Sequence, residues 1–244
     1  MFKKITAVAA LILFANVSIA GSQCDAETIQ ARLPGVDPAS VRETPLDGVC
    51  EIAIGPQIVY VSPDANYLLR GDIIEITSNI NITDKRRSTA RARALDGIAE
   101  KDMIVFAPDD VKHTITVFTD IDCGYCRKLH LEMADLNAKG IQVQYMFFPR
   151  SGPNTRSWEK AQEVWCSDDR KSALTRAKQG VDLAIEACAE APVMDQYQMG
   201  QMVGLRGTPA IITEGGDLIS GYLPADALLA RLESLKSAAL AAAQ

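Results

Sequence analysis

The chain has 244 residues, 48% of them hydrophobic and 23% charged, with 25 basic and 31 acidic side chains for a net charge of −6. That length supports one large hydrophobic core or two smaller ones. The acidic balance argues against nucleic acid or an anionic membrane surface as a partner.

Lys3 and Lys4 precede an uncharged apolar stretch from Ile5 to Val17, and Ser18-Ile19-Ala20 has the small-x-small form of a cleavage site. Residues 1–20 therefore read as a secretory signal peptide; the apolar run is short for a membrane span, and no second one follows. Gln23 stands before Cys24, where a lipoprotein would carry a small residue. Removing the peptide takes away two basic residues and no acidic one, deepening the net charge to −8. All six cysteines lie beyond it, so an even number enters an oxidising compartment, where disulfides are the expected state.

Residues 21–82 form the first unit. A short helix from Ala26 to Leu33 leads into a turn-rich segment with Pro34-Gly35, Pro38 and Pro45. Short strands follow at Cys50–Ile54, Ile58–Val61, Tyr67–Leu69 and Ile73–Thr77, divided by Gly55-Pro56, Ser62-Pro63-Asp64 and Gly71. Such a meander is too small for a generous core. Its edge either pairs with a second copy, predicting a homodimer through Asp72–Thr77, or is capped by the chain's own helix. Asn81-Ile82-Thr83 matches a glycosylation sequon by chance. Residues 83–101 read as a helical linker with Leu95 and Ile98 on one face, and Lys85, Arg86, Arg87, Arg91 and Arg93 as a solvated basic face.

Residues 102–244 alternate strand and helix. Met103–Phe106 and His113–Phe118 are strands, Tyr125–Ala138 a helix stopped by Gly140, and Ile141–Phe148 a strand ended by Pro149. A mostly helical insert spans about 155–200 and carries Trp158, Trp165, Cys166 and Cys188. Strands Ala210–Thr213 and Leu218–Tyr222 flank a Gly215-Gly216 turn, and a helix from Ala225 to Ala243 closes the chain. This order predicts a three-layer α/β fold around a mixed sheet.

Cys123-Gly124-Tyr125-Cys126 follows a strand and opens a helix. Thiols at that spacing close on each other, and the unpaired N–H groups of a helix start favour thiolate, the attacking species, on the first. Cys123 is the candidate nucleophile, expected to be exposed; Cys126 is the more buried resolving thiol. A zinc site would need a second close pair, but Cys166 and Cys188 lie far apart and only two histidines exist, so no metal or other cofactor is expected. Thr208-Pro209 interrupts a strand-like run; from that segment alone a trans peptide is the better reading.

Together these stretches resemble the bacterial periplasmic disulfide isomerases of the DsbC type. The resemblance rests on Thr114–Ile121 running into Cys123-Gly124-Tyr125-Cys126, then Lys128-Leu129-His130, Phe148-Pro149-Arg150, Trp165-Cys166 and Gly207-Thr208-Pro209-Ala210. It covers essentially the whole exported chain. What it implies is a thioredoxin-like catalytic domain with a helical insertion and a small α+β dimerisation domain in a V-shaped periplasmic homodimer. It also implies a cis Pro209 facing the cysteines, an apolar cleft for misfolded exported proteins, and a membrane reductant of the DsbD type. By the same similarity Cys166 and Cys188 match a structural disulfide, contributing about 3 kcal/mol on the chain-entropy argument.

Three features depart from the family pattern. Asp122 precedes Cys123 where a neutral residue is usual, and its charge is expected to raise the thiol's pKa. Arg127 stands where histidine is common and would compensate; otherwise both are screened surface charges. Cys24 and Cys50 have no family counterpart; a second structural disulfide is the first choice, free or intermolecular thiols the other. The expected activity is disulfide isomerisation with an accompanying chaperone action. The alternatives are a dithiol oxidase or reductase, or a protein acting mainly as a holdase.

Overall fold

The computed structural model describes residues 24–242; residues 1–20, read above as a signal peptide, lie outside them. Helix α1 (Ala26–Arg32) starts at Asp25, whose carboxylate accepts the N–H groups of Glu27 and Thr28. Strands β1 (Val41–Glu43), β2 (Cys50–Ile54), β3 (Gln57–Val61) and β4 (Leu68–Leu69) form an antiparallel sheet in that order. Cys50, Ile52, Val59 and Val61 turn one face onto Ile29 and Val36 of the α1 side, and a Cys24–Cys50 disulfide ties the start of α1 to β2. The turn-rich segment thus holds a strand, β1, that its prolines concealed.

A second correction concerns Ile73–Thr77. It contributes only β5 (Ile74–Glu75), paired with β6 (Ile80–Asn81) in a separate two-stranded ladder, so β4 is the outer strand of the meander. Asn81, the residue of the sequon, caps helix α2 (Ile82–Asp96) by accepting the Asp84 N–H at 2.8 Å.

Helix α2 bridges the two halves of the chain. On one side the Tyr60 hydroxyl bonds to Thr83 Oγ1, and Arg86 pairs with Glu51 at 3.5 Å. On the other, Ser88 Oγ donates to Asp217 Oδ1 at 3.1 Å, and buried Arg91 points Nε and Nη1 at the carbonyls of Val203 and Gly216. The basic cluster is therefore no uniform solvated face: α2 packs against the second half, and that packing takes Arg91 out of water.

The second half holds a five-stranded sheet of β7 (Ile104–Phe106), β8 (His113–Thr119), β9 (Ile141–Phe147), β10 (Ala210–Thr213) and β11 (Leu218–Ser220) in the order β11-β10-β8-β9-β7. Only β8 and β9 run parallel. Alternation splits the central strands between two cores: Ile115, Val117, Val143 and Tyr145 on one face, Phe118, Met146 and Ile212 on the other.

The helix expected over 125–138 is two, α3 (Gly124–Leu131) and α4 (Met133–Ala138), broken at Glu132. The Glu132 carboxylate accepts the Tyr222 hydroxyl and the Ala225 N–H at the start of α8 (Ala225–Ala242). The insert contains α5 (Arg156–Trp165), α6 (Arg170–Lys178) and α7 (Val193–Met202), with a non-helical segment from 181 to 190 clipped by a Cys166–Cys188 disulfide.

Candidate active site

Strand β8 delivers the chain to the site through a short turn fixed by Asp120. This carboxylate is buried and accepts from the Asp122 N–H at 2.9 Å, Ser157 Oγ at 2.5 Å, and the backbone N–H and Nε of Arg150 at 3.1 and 3.0 Å. Burial alone would raise its pKa, but these donors outweigh that and hold it below the ordinary carboxylate range. The turn places Cys123 at the N-cap of α3 and Cys126 within its first turn.

Cys123 is not exposed as expected; it is 3% accessible, and Cys126 is fully buried. The cover is the loop carrying the cis Thr208–Pro209 peptide, with Cys123 Sγ donating to the Thr208 carbonyl at 3.2 Å. Both thiols are free. Thr208 Oγ1 is buried without a partner, yet it faces both sulfurs and is placed to donate to either when ionised. Burial pushes the Cys123 pKa up. Donation from Thr208 and from the N–H and thiol of Cys126, with the positive charge of Arg150, overrides it, and the net shift is downward. For Cys126 burial dominates and the shift is upward, although the charge of Lys178 opposes it.

The remaining sequence candidates surround this pair. A Cβ added at Gly124 would meet nothing within 4 Å, so the approach over the start of α3 is open. Tyr125 is exposed and stacks on Tyr222 with ring centroids 6.2 Å apart. Asp122 Oδ1 accepts from Arg127 Nη2 at 3.1 Å and Lys160 Nζ at 2.6 Å. Cys24, Cys50, Cys166 and Cys188 lie in the two disulfides, apart from the dithiol. Sequence reasoning passed over Asp120, Arg150 and Lys160 as site groups. Arg150 directly follows Phe148-Pro149, and that neighbourhood was its one available signal.

Beside Thr208 and Pro209 an open groove of about 1020 Å³ runs between this loop and the N-terminal sheet, with Ile58, Val59, Leu205 and Arg206 among its walls.

Family profiles match both halves: a disulfide bond isomerase protein N-terminal domain over residues 19–84 and a thioredoxin-like domain over residues 99–236. The thiol:disulfide interchange protein DsbC of Dickeya dadantii is 35% identical over 83% of this chain and 84% of its own. Its Escherichia coli K12 counterpart is 34% identical over 83% and 85%. Among solved structures, Proteus mirabilis ScsC in a transitional conformation superposes with a TM-score of 0.50 at 19% identity, over 62% of this chain and 79% of that one, a likeness of fold. A thioredoxin-like fold joined to an isomerase N-terminal domain, with this identity over most of the chain, places it plainly: it belongs to the DsbC family of thiol:disulfide interchange proteins and is a thiol–disulfide isomerase.

Proposed function

We propose that the Cys-Gly-Tyr-Cys dithiol carries the isomerase reaction, with Cys123 as nucleophile and Cys126 as resolving thiol. The observation that carries this is the placement of the pair: Cys123 at the N-cap of α3 with its sulfur on the Thr208 carbonyl of the cis-proline loop at 3.2 Å, and Cys126 fully buried in the first turn. In keeping with it, the surroundings favour thiolate on Cys123 and oppose it on Cys126. The Cys123 thiolate attacks a wrong disulfide, one client sulfur leaves as thiolate, and a mixed disulfide forms. A second client thiolate then displaces Cys123, leaving the disulfide rearranged with no net redox change. Alternatively Cys126 attacks Cys123, the client departs reduced by two electrons, and a Cys123–Cys126 disulfide remains. That second exit requires a dithiol reductant, which we assign to a membrane partner of the DsbD type. The Thr208–Pro209 loop presents the client, and Gly124, Tyr125, Asp122 and Arg127 adjust the pair. Cys166–Cys188 and Cys24–Cys50 serve as structural disulfides.

We read residues 1–20 as the signal that sends the chain to the periplasm, 21–82 as the dimerisation domain, 83–101 as linker and 102–244 as the catalytic domain. Leu69 on the outer strand β4 and Tyr67 just before it are exposed, as is Ile74 on β5, and Ile76 is 92% accessible. These exposed apolar residues of the N-terminal unit support a homodimer joined through it, whose shared cleft would also hold unfolded clients in a chaperone role. Refolding of a scrambled multi-disulfide protein is the test. Cys123→Ala is expected to abolish recovery, and unchanged recovery would overturn the mechanism. Light scattering should give a dimeric mass. In exporting cells the Cys123–Cys126 pair should be found reduced; a predominantly oxidised pair would point instead to an oxidase.

A further inference from the structure

Lys178, the last residue of α6, is 4% accessible. Its ammonium donates to Thr119 Oγ1 at 2.7 Å and stands 5.4 Å from the centre of the Tyr145 ring. It forms no ion pair with a carboxylate among the described residues. A buried cation without a carboxylate partner is costly, and burial pulls its pKa down to about 8, against the opposing pull of Cys126, Asp120 and Cys123.

The other end of the same hydroxyl explains the placement. The Thr119 hydroxyl and the Lys178 charge both favour the thiolate of Cys126, a fully buried group whose ionisation burial disfavours. Other groups facing this cluster do not replace the lysine. Tyr145 from β9 is held protonated by burial. His130 from α3 is held neutral, with its pKa near 4, by burial and by Lys178 itself. Arg127 repels the ammonium, and Asp120 is committed to Ser157, Arg150 and the backbone.

We propose that Lys178 is a positioning residue for the resolving half of the reaction, the buried counter-charge that lets Cys126 attack as a thiolate across the Thr119 hydroxyl. This rests on the dithiol reading above. In the step, Cys126 gives its proton to solvent while Lys178 keeps its own, so thiolate faces ammonium where each alone would be destabilised. The Cys126 sulfur attacks Cys123 Sγ, the bond from Cys123 to the client breaks, and its electron pair leaves on the client thiolate. The client is reduced and the enzyme pair oxidised. Lys178 thereby sets how long a mixed disulfide survives before Cys126 ends it, and so how much time a client has to rearrange.

The experiment has two readouts on the full-length protein. In a Cys123→Ser background the thiolate absorbance of Cys126 is titrated with and without Lys178→Met. In the intact dithiol protein, a mixed disulfide is formed between Cys123 and thionitrobenzoate, and its release by Cys126 is followed against pH. Lys178→Met should raise the Cys126 midpoint by about one pH unit and slow release about tenfold near neutrality, with the two proteins converging at alkaline pH. Lys178→Arg, which keeps the charge, should restore the profile. An unchanged midpoint, or a loss of rate that is the same at every pH, overturns the proposal. If Lys178→Met does not melt cooperatively, Thr119→Val is read in its place, and an unshifted profile there has the same force. Failure of the wild-type protein to form the adduct at Cys123 would instead refute the dithiol reading.

Discussion

Lys160 Nζ lies 2.6 Å from Asp122 Oδ1, and Arg127 Nη2 reaches the same oxygen at 3.1 Å. The carboxylate beside Cys123 is thus shared by two cations, one from α3 and one from α5 of the insert. Unshielded, it would oppose a thiolate next door. Paired in this way it is largely cancelled at the distance of the sulfur, in a setting where water already screens it.

Asp122→Thr is therefore expected to change Cys123 reactivity by less than about twofold, while Lys160→Ala, which removes one positive charge and leaves the carboxylate to Arg127 alone, should slow Cys123 alkylation near neutral pH about two- to threefold. The rate of iodoacetamide reaction against pH measures both. The Lys160→Ala deficit should shrink in high salt, and an equal or larger effect from Asp122→Thr would show that Asp122 acts directly on the thiol.

Arg150 has a double part. Its backbone and side chain fix Asp120, and its charge favours the Cys123 thiolate. Because the guanidinium is about half exposed, Arg150→Gln should raise the Cys123 pKa by only about half a unit, lowering its neutral-pH alkylation about threefold. Asp120→Asn should cost more in stability than in reactivity, since it weakens bonds from Ser157, Arg150 and the Asp122 N–H together. Thermal melts beside alkylation rates separate the two effects.

His130 predicts an acid sensitivity. Its ring is buried between the Tyr145 hydroxyl, 3.2 Å from Nδ1, and Thr175 Oγ1, 2.9 Å from Nε2. Burial and Lys178 hold its pKa near 4, against 6.5 for a free imidazole. Above 6.5 the ring is neutral in both folded and unfolded chains and costs nothing. As pH falls toward 4 the unfolded chain takes up a proton that the folded one refuses, and stability drops; below 4 the loss levels off. Between pH 7 and 5 this group should cost about 2 kcal/mol, a loss that His130→Gln removes. Asp120, with its pKa lowered, loses its contribution only at more acidic pH and leaves that window clean. Urea unfolding at the two pH values checks it; equal pH dependence in both proteins would refute it.

The fold was legible wherever periodicity or punctuation was strong. Alternating apolar residues marked β8 and β9, and Cys-Gly-Tyr-Cys marked the start of α3. What escaped depended on contacts distant along the chain. Lys160 is one lysine among many until α5 folds against the turn at Asp122. Glu132 breaks a helix because Tyr222 and Ala225, some ninety residues away, claim its carboxylate. Cys123 read as exposed because nothing local announces that Thr208 covers it. Lys178 left a faint trace: Ala173, Leu174 and Ala177 lie on the inward side of α6, and Lys178 follows Leu174 by four on the same side. A lysine in an apolar row usually snorkels to solvent; this one turns inward, where the Thr119 hydroxyl receives it.

The hairpin turn at Gly216 offers the sharpest structural test. Its φ is +81°, a conformation that L residues adopt only under strain. A Cβ there would stand 1.8 Å from the Ser88 carbonyl oxygen and 2.7 Å from the Ala92 nitrogen, both backbone atoms of α2 that cannot step aside. Gly216→Ala must therefore separate the turn from α2, breaking the Ser88–Asp217 bond and exposing buried Arg91. The combined backbone and packing loss should be about 3 kcal/mol. Gly215→Ala is the control, since its Cβ would meet only side-chain atoms of Asp217 and Thr213 at 3.3 and 3.8 Å, with no positive φ. Melting temperature and tryptic cleavage after Arg91 and Arg93 read the outcome. Gly216→Ala should melt lower and be cut faster within α2 while Gly215→Ala behaves as wild type; matching behaviour of all three proteins would mean that α2 does not rest on the turn in solution.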